Sequence, residues 1–169
     1  DKVLDLRKPK DFRIWYDFMS DLFDNSTDYH RIYMYVTKPY KLTFLKFTKT
    51  FMTKELFAEV LKDAYTVTEF PNRDKNVLPK DLKGWFRQAD KKHLMSEEEY
   101  AKYLNLPNTV KIYRGVTSLK GAKGLSWTLD LETARWFSNR FNPQVSYVLS
   151  AEVPKEKIFA YFNDRNEYE

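Results

Sequence analysis

Three short strings in the last third of the chain carry side chains whose types and spacing can do chemistry: Tyr113-Arg114-Gly115, Leu125-Ser126-Trp127-Thr128 and Asn166-Glu167-Tyr168-Glu169. Arg114 brings a planar, permanently charged guanidinium suited to two-pronged contact with a phosphate. Ser126 and Thr128 bring hydroxyls that can orient a neighbouring polar group. Glu167 and Glu169 stand two residues apart, which puts both carboxylates on one side of an extended segment, where they can stabilise positive charge or take up a proton. Each string alone has an ordinary explanation. Arg114 at a strand end could make a surface ion pair, the hydroxyls could stabilise a turn before a helix, and the glutamates could be a solvated acidic terminus.

Taken together and in this order, with a strand, a helix and two further strands set among them, the strings resemble the arginine-serine-glutamate class of mono-ADP-ribosyltransferases, which includes cholera-like and clostridial toxins and phage enzymes. The resemblance covers about residues 110 to 169. It implies an α+β fold in which an ADP-ribosyltransferase-like mixed β-sheet core follows a helical N-terminal part. The substrate it implies is NAD, with no metal. Breaking the nicotinamide–ribose bond builds positive charge on the sugar, as in glycoside cleavage, and a fixed carboxylate stabilises it. On this pattern Glu169 is that carboxylate, Ser126 orients it, Thr128 supports, and Glu167 orients or deprotonates the acceptor. Arg114 holds a phosphate of NAD, and Gly115, beside Tyr113, lets the backbone approach the nicotinamide. Phe137 is either a nicotinamide-stacking ring or core, and its inward helix face favours core. Tyr161 and Phe162 precede the family's substrate-recognition loop, so one can meet the acceptor while strand alternation turns the other inward. The chain departs from the family in having Ser-Trp-Thr where Ser-Thr-Ser is usual. It also stops where the family continues as a strand that pins the second glutamate.

The Glu-x-Glu spacing is associated in the family with modification of protein arginine, which makes that the first choice of acceptor. Nucleic acid is the second, because Asp28 to Glu55 encloses Arg31, Lys38, Lys41, Lys46, Lys49 and Lys54 with no acidic residue between, interleaved with tyrosine and phenylalanine rings. Cations for phosphates and rings for bases are what a single-strand groove requires, although a packed segment with lysines in water would look the same. Two further readings stay open: a non-catalytic nucleic-acid- or protein-binding module on the same fold, and an NAD glycohydrolase with water as acceptor. Family habit points to a toxin or to a phage or bacterial effector whose helical part docks an antitoxin or carrier protein.

The elements that must position these residues follow from periodicity. Phe12, Trp15, Tyr16, Met19, Leu22 and Phe23 recur at three- and four-residue steps from Lys10 to Asp24, the mark of a helix with a buried stripe. Thr53 can cap a helix ending at Ala64 or Tyr65, Pro79 can open one running to Gln88, and Ser96 with Glu99 forms a capping box for a short helix before Pro107. Beyond that point a β-prone run ends at Gly115, and Asp130 caps a helix with Ala134, Phe137 and Phe141 on one face. Val145 to Val153 alternates as a strand, Pro154 to Lys157 turns, and Ile158 to Phe162 reads as a last strand. Residues 1–106 form the helical part and 107–169 the strand-rich NAD-binding part, packed as one unit.

Composition excludes several classes. With no cysteine, and with His30 and His93 far apart, neither a disulfide framework nor a Cys/His zinc site is available. No apolar run approaches the ~20 residues of a membrane helix, and no signal peptide is visible. A cytosolic location, bacterial or host, is the default, with a secreted effector as the variant. The net charge of +5 mildly favours an anionic partner. Of four glycines, Gly115, Gly121 and Gly124 cluster, marking a stretch of special backbone. The start at Asp1 and stop at Glu169 read as a fragment, a processed form or an ordered core.

Overall fold

The structure, a computed structural model, describes residues 4, 5, 7–68, 71, 76–163, 167 and 168. Glu169, to which the family resemblance would give the stabilising carboxylate, lies outside the described residues.

The chain is α+β, with a helical first part and a small antiparallel sheet in the second. Helices α1 (Pro9–Asn25), α2 (Tyr29–Tyr35), α3 (Lys41–Thr48), α4 (Lys54–Val67), α5 (Pro79–Gln88), α6 (Lys91–Leu94) and α7 (Glu97–Leu104) come first. Their starts are written in side chains that satisfy otherwise unpaired N–H groups. Asp28 accepts from Arg31 N–H at 3.0 Å, and Thr53 accepts from Leu56 N–H at 3.2 Å. Ser96 and Glu99 close the expected capping box. Helix α4 lies at the centre, its Leu61 and Ala64 packed in one cluster with Leu42 and Leu45 of α3, Leu82 and Phe86 of α5, and Leu94 of α6. Each fully buried leucine contributes about 2 kcal/mol of burial free energy.

In the second part β1 (Thr109–Val116) pairs antiparallel with β2 (Tyr147–Pro154), from Thr109↔Pro154 to Val116↔Tyr147. Helix α8 (Leu131–Asn139) packs against β1. On the other edge of β1, Tyr113 and Thr128 exchange both backbone hydrogen bonds at 2.8 Å. One step further out, Leu129 N–H donates to the Tyr168 carbonyl at 2.9 Å. The order across is therefore β2, β1, the segment at 128–129, and Tyr168.

Several expectations are corrected. The α1 stripe is not core: only Leu22 is buried, while Phe12, Trp15, Tyr16 and Phe23 are exposed. Ile158 to Phe162 is not a strand but irregular backbone after a 3₁₀ turn at Lys155–Lys157, and Tyr161 and Phe162 both enter the helical core. Without a ladder the period-2 rule has no hold there. The basic stretch contains two unexpected helices, α2 and α3, and Phe141 lies past the end of α8, exposed. Val145 precedes β2 and is exposed, whereas the alternation holds from Leu149 to Val153.

One buried carboxylate ties the parts together. Glu99, 4% exposed, accepts from Lys62 Nζ at 2.7 Å, from Ser96 N–H at 2.8 Å and from Asn163 N–H at 2.6 Å. Burial by itself pushes this carboxyl up, but the hydrogen bonds from Lys62, Asn163 and Ser96 outweigh it and hold Glu99 below the usual glutamate value. A group whose folded pKa is depressed contributes stability above its unfolded pKa and loses it as pH falls through the folded one. Glu99→Ala, which leaves the Lys62 ammonium without this partner, is expected to cost about 3 kcal/mol at neutral pH. Urea melts taken stepwise from neutral pH to below the ordinary glutamate range should show the wild type losing stability there and Glu99→Gln losing less.

Candidate active site

Alternation along β1 divides its side chains between two faces. Gly115 faces α8, so closely that a Cβ would fall well inside contact with the Ala134 carbonyl and the Ser138 backbone nitrogen. Arg114 therefore points the other way, towards the loop that follows the strand. Its Nε donates to the Gly121 carbonyl at 2.9 Å and its Nη1 donates to the Ser126 carbonyl. The loop from Thr117 to Trp127 closes around the guanidinium. Gly124 makes room for it, since a Cβ there would collide with the Arg114 Nη2 and Cζ.

That closure sets Ser126 facing the helical part. Its Oγ lies 2.6 Å from the hydroxyl of Tyr65, which projects from α4 and is 6% exposed. The Tyr65 ring is held edge-on by Phe86, with centroids 5.0 Å apart. Ser126 and Tyr65 line a cavity of about 260 Å³ whose other walls include Phe86, Trp127, Phe159 and Tyr161. Among the described residues Lys157 is its only charged lining residue. The volume lies just below the usual ~300–1,000 Å³ of small-molecule pockets, so it suits one ring and its sugar rather than a whole dinucleotide.

The structure brings Arg114 to the Ser126 carbonyl and sets Tyr168 of the third string one step further out, through the Leu129–Tyr168 hydrogen bond. Arg114 does not line the cavity, but Gly124 and Ser126, which flank its guanidinium, do. Glu167 is half-buried. Its neighbour Tyr168 has φ 52°, in the left-handed region that a bulky residue enters only under constraint, and its N–H donates to Asn163 Oδ1 at 3.2 Å. The segment is thus not extended at Tyr168. The expectation that Glu167 and Glu169 share a side involves Glu169, which lies outside the described residues.

The remaining candidates divide. Thr128 is buried and its Oγ1 accepts from Asp130 N–H at 3.0 Å, while Asp130 caps α8 through Thr133 N–H at 2.7 Å, so this hydroxyl serves the helix start. Tyr113 is half-buried, its backbone spent on Thr128. Phe137 is half-buried against Trp136, centroids 4.9 Å apart, and lines no part of the cavity. Tyr161 and Phe162 both line it and both are buried, so the expected division of one inward and one outward is corrected.

Sequence reasoning missed Tyr65 and the reason for Gly124. Tyr65 ends the apolar stripe of α4, and its only signal was that a buried phenol needs a hydrogen-bond partner. That partner lies 61 residues away. The glycine cluster was noticed, but no glycine among the described residues takes a positive φ; the cluster marks close packing.

Among the described residues no group of three or more His, Asp or Glu side chains could hold a metal ion, and no helix is long and apolar enough to cross a membrane. No family model, no curated protein and no solved structure matches the chain.

The two glycines should respond differently to a methyl group. Gly115→Ala must push a helix backbone off a strand, with an expected loss of about 3 kcal/mol in urea melts. Gly124→Ala moves no backbone but drives the guanidinium off its two carbonyls, so its melt should lose less, about 1.5 kcal/mol, the worth of one charge-assisted hydrogen bond. The Arg114 Nε–H resonance should shift in that variant as the guanidinium leaves Gly121 and Ser126.

Proposed function

We propose that the chain is a mono-ADP-ribosyltransferase of the arginine-serine-glutamate class, built on that family's mixed-sheet core, which cleaves NAD and transfers ADP-ribose to an arginine side chain of a protein. The observation that carries this reading is the juxtaposition of the first two strings with Tyr168 of the third. Arg114 is bonded to the Ser126 carbonyl, and one rung away Leu129 is bonded to the residue that follows Glu167. A ring-lined cavity, half open, lies at Ser126.

In this reading Arg114, preset by the Gly121 and Ser126 carbonyls, holds a phosphate of NAD, and the cavity takes the nicotinamide–ribose end between aromatic walls. The bond from the anomeric carbon to the nicotinamide nitrogen breaks with both electrons, releasing neutral nicotinamide and leaving positive charge on the sugar. Glu169 stabilises that charge. An arginine nitrogen of the acceptor then bonds to the anomeric carbon while Glu167 takes its proton. Fixed charge aimed at a developing cation is worth roughly 10²–10³ in rate.

Tyr65 belongs to this machinery as a positioning residue. The Tyr65 and Ser126 hydroxyls share one hydrogen bond that either can donate, and in this reading the more acidic phenol is the donor. The serine proton is then directed away from Tyr65, and donates to the glutamate that Ser126 orients.

Incubating the protein with labelled NAD and a mixture of proteins is the test. Nicotinamide release and protease-sensitive label are expected from the wild type, with both abolished in Glu169→Gln. Glu167→Gln should lower transfer about 10²-fold while sparing part of the nicotinamide release. Tyr65→Phe should lower kcat about tenfold, leave KM for NAD within about twofold, and have no further effect in a Ser126→Ala background. Nicotinamide release with no labelled macromolecule would make the protein an NAD glycohydrolase. No release at all would end the proposal.

A further inference from the structure

The surface formed by α2, α3 and the 3₁₀ turns on either side of α3, Lys38–Tyr40 and Lys49–Phe51, joins two features that seldom occur together. From Tyr29 to Lys54 there is no carboxylate, yet there are Arg31 and five lysines. Lys41 is engaged by Asp63 at 3.0 Å, and Lys46 by the Asn76 carbonyl. Arg31, Lys38, Lys49 and Lys54 have no carboxylate partner among the described residues. Between these cations stand large rings that the core does not use: Tyr40 is 63%, Phe47 69% and Phe51 66% exposed.

Those rings recur at seven and four residues along one nearly continuous helical run, so they share a side of it. They are spaced by roughly 10 and 6 Å along an axis of about 20 Å. The opposite side of α3, Leu42 and Leu45, is already buried in the core. Phe51 is further fixed by stacking on Tyr29, with centroids 5.7 Å apart and planes within 9°. Along α3 and its flanking turns the rings therefore stand singly among cations, with Met34 and Tyr35 of α2 exposed beside them.

We propose that this face is a docking track for single-stranded nucleic acid, with phosphates on Arg31, Lys38, Lys49 and Lys54 and bases stacked on Tyr40, Phe47 and Phe51. The charge calls for a polyanion, and exposed rings gain from one only if it offers unpaired base faces. A duplex hides those faces, and an anionic lipid surface, which would be gripped through apolar area rather than through single rings, is the outcome that vesicles test below.

Binding of the whole chain to a fluorescein-labelled twelve-nucleotide oligouridylate, followed by anisotropy over a salt series and without NAD, tests the track. Single strand is expected to bind at least tenfold more tightly than a duplex of the same length. The log–log salt slope should be about −2 to −3, as four neutralised phosphates require. Lys38→Ala with Lys54→Ala should reduce that slope by about 1.4. Phe47→Ala with Phe51→Ala should weaken binding about tenfold per ring and leave the slope unchanged. Both rings are exposed, and equal melting temperatures would verify that the variant folds. Equal affinity for duplex, ring variants that bind like wild type, or sedimentation with phosphatidylserine vesicles without oligonucleotide binding would each overturn the proposal. The test is separate from the transferase reading: a chain that binds the oligonucleotide but releases no nicotinamide removes that reading and leaves the track. If both hold, label sensitive to nuclease rather than protease would replace arginine as the acceptor.

Discussion

The arrangement of the second half of the chain depends on one guanidinium and the backbone that closes around it. Arg114 leaves β1 on the face opposite α8, and the next loop returns to give it the Gly121 and Ser126 carbonyls. Hydrogen bonds from a charged donor are worth about twice neutral ones, so this loop is fixed by its contents more than by its own conformation. The position of Ser126, its side-chain direction and the pairing of Thr128 with Tyr113 all follow from that closure. Gly115 and Gly124 are the two places where a side chain would prevent it, one by blocking the helix and the other by displacing the charge.

The helical half then completes what the sheet half begins. Tyr65 of α4 meets Ser126, Met95 Sδ accepts from Tyr161 N–H at 3.3 Å, and Glu99 of α7 accepts from Asn163 N–H. These contacts come from separate helices and reach both sides of the cavity. The cavity is consequently an inter-element space with one wall from each half. Its shape is coupled to helix packing far along the chain.

The sequence showed what local rules decide. Caps at Thr53, Ser96 and Asp130 set helix starts to within a residue, because a cap needs only a side chain and an N–H three positions on. The β1 strand and the pairing partner in β2 were equally visible from β-branched residues and alternation. What was hidden depends on distance. The periodicity of α1 correctly announced a helix but not its cover, since an amphipathic stripe reports potential burial and nothing about a partner. The last expected strand failed because Ile158 to Phe162 has the composition of a strand but is drawn into the helical core. At the site, the adjacency of Arg114 and Ser126 could be suspected from their order. The Tyr65 contact could not, since nothing local to α4 distinguishes a phenol that meets a serine from one that meets a carbonyl.

The exposed rings of the helical half are not one surface. Those of α1 alternate with Asp11, Asp17, Asp21 and Asp24, whereas those of α2 and α3 lie in a stretch free of carboxylates. Phe18 of α1 and Tyr35 of α2 touch edge-on with centroids 5.4 Å apart, so the two regions adjoin. A polyanion held on α3 would therefore meet repulsion if it strayed towards α1, and this difference in charge, not in apolar area, would set its path. The same number of rings on a uniformly basic surface would bind more strongly and with less direction. Here the carboxylates of α1 form one bank of the track.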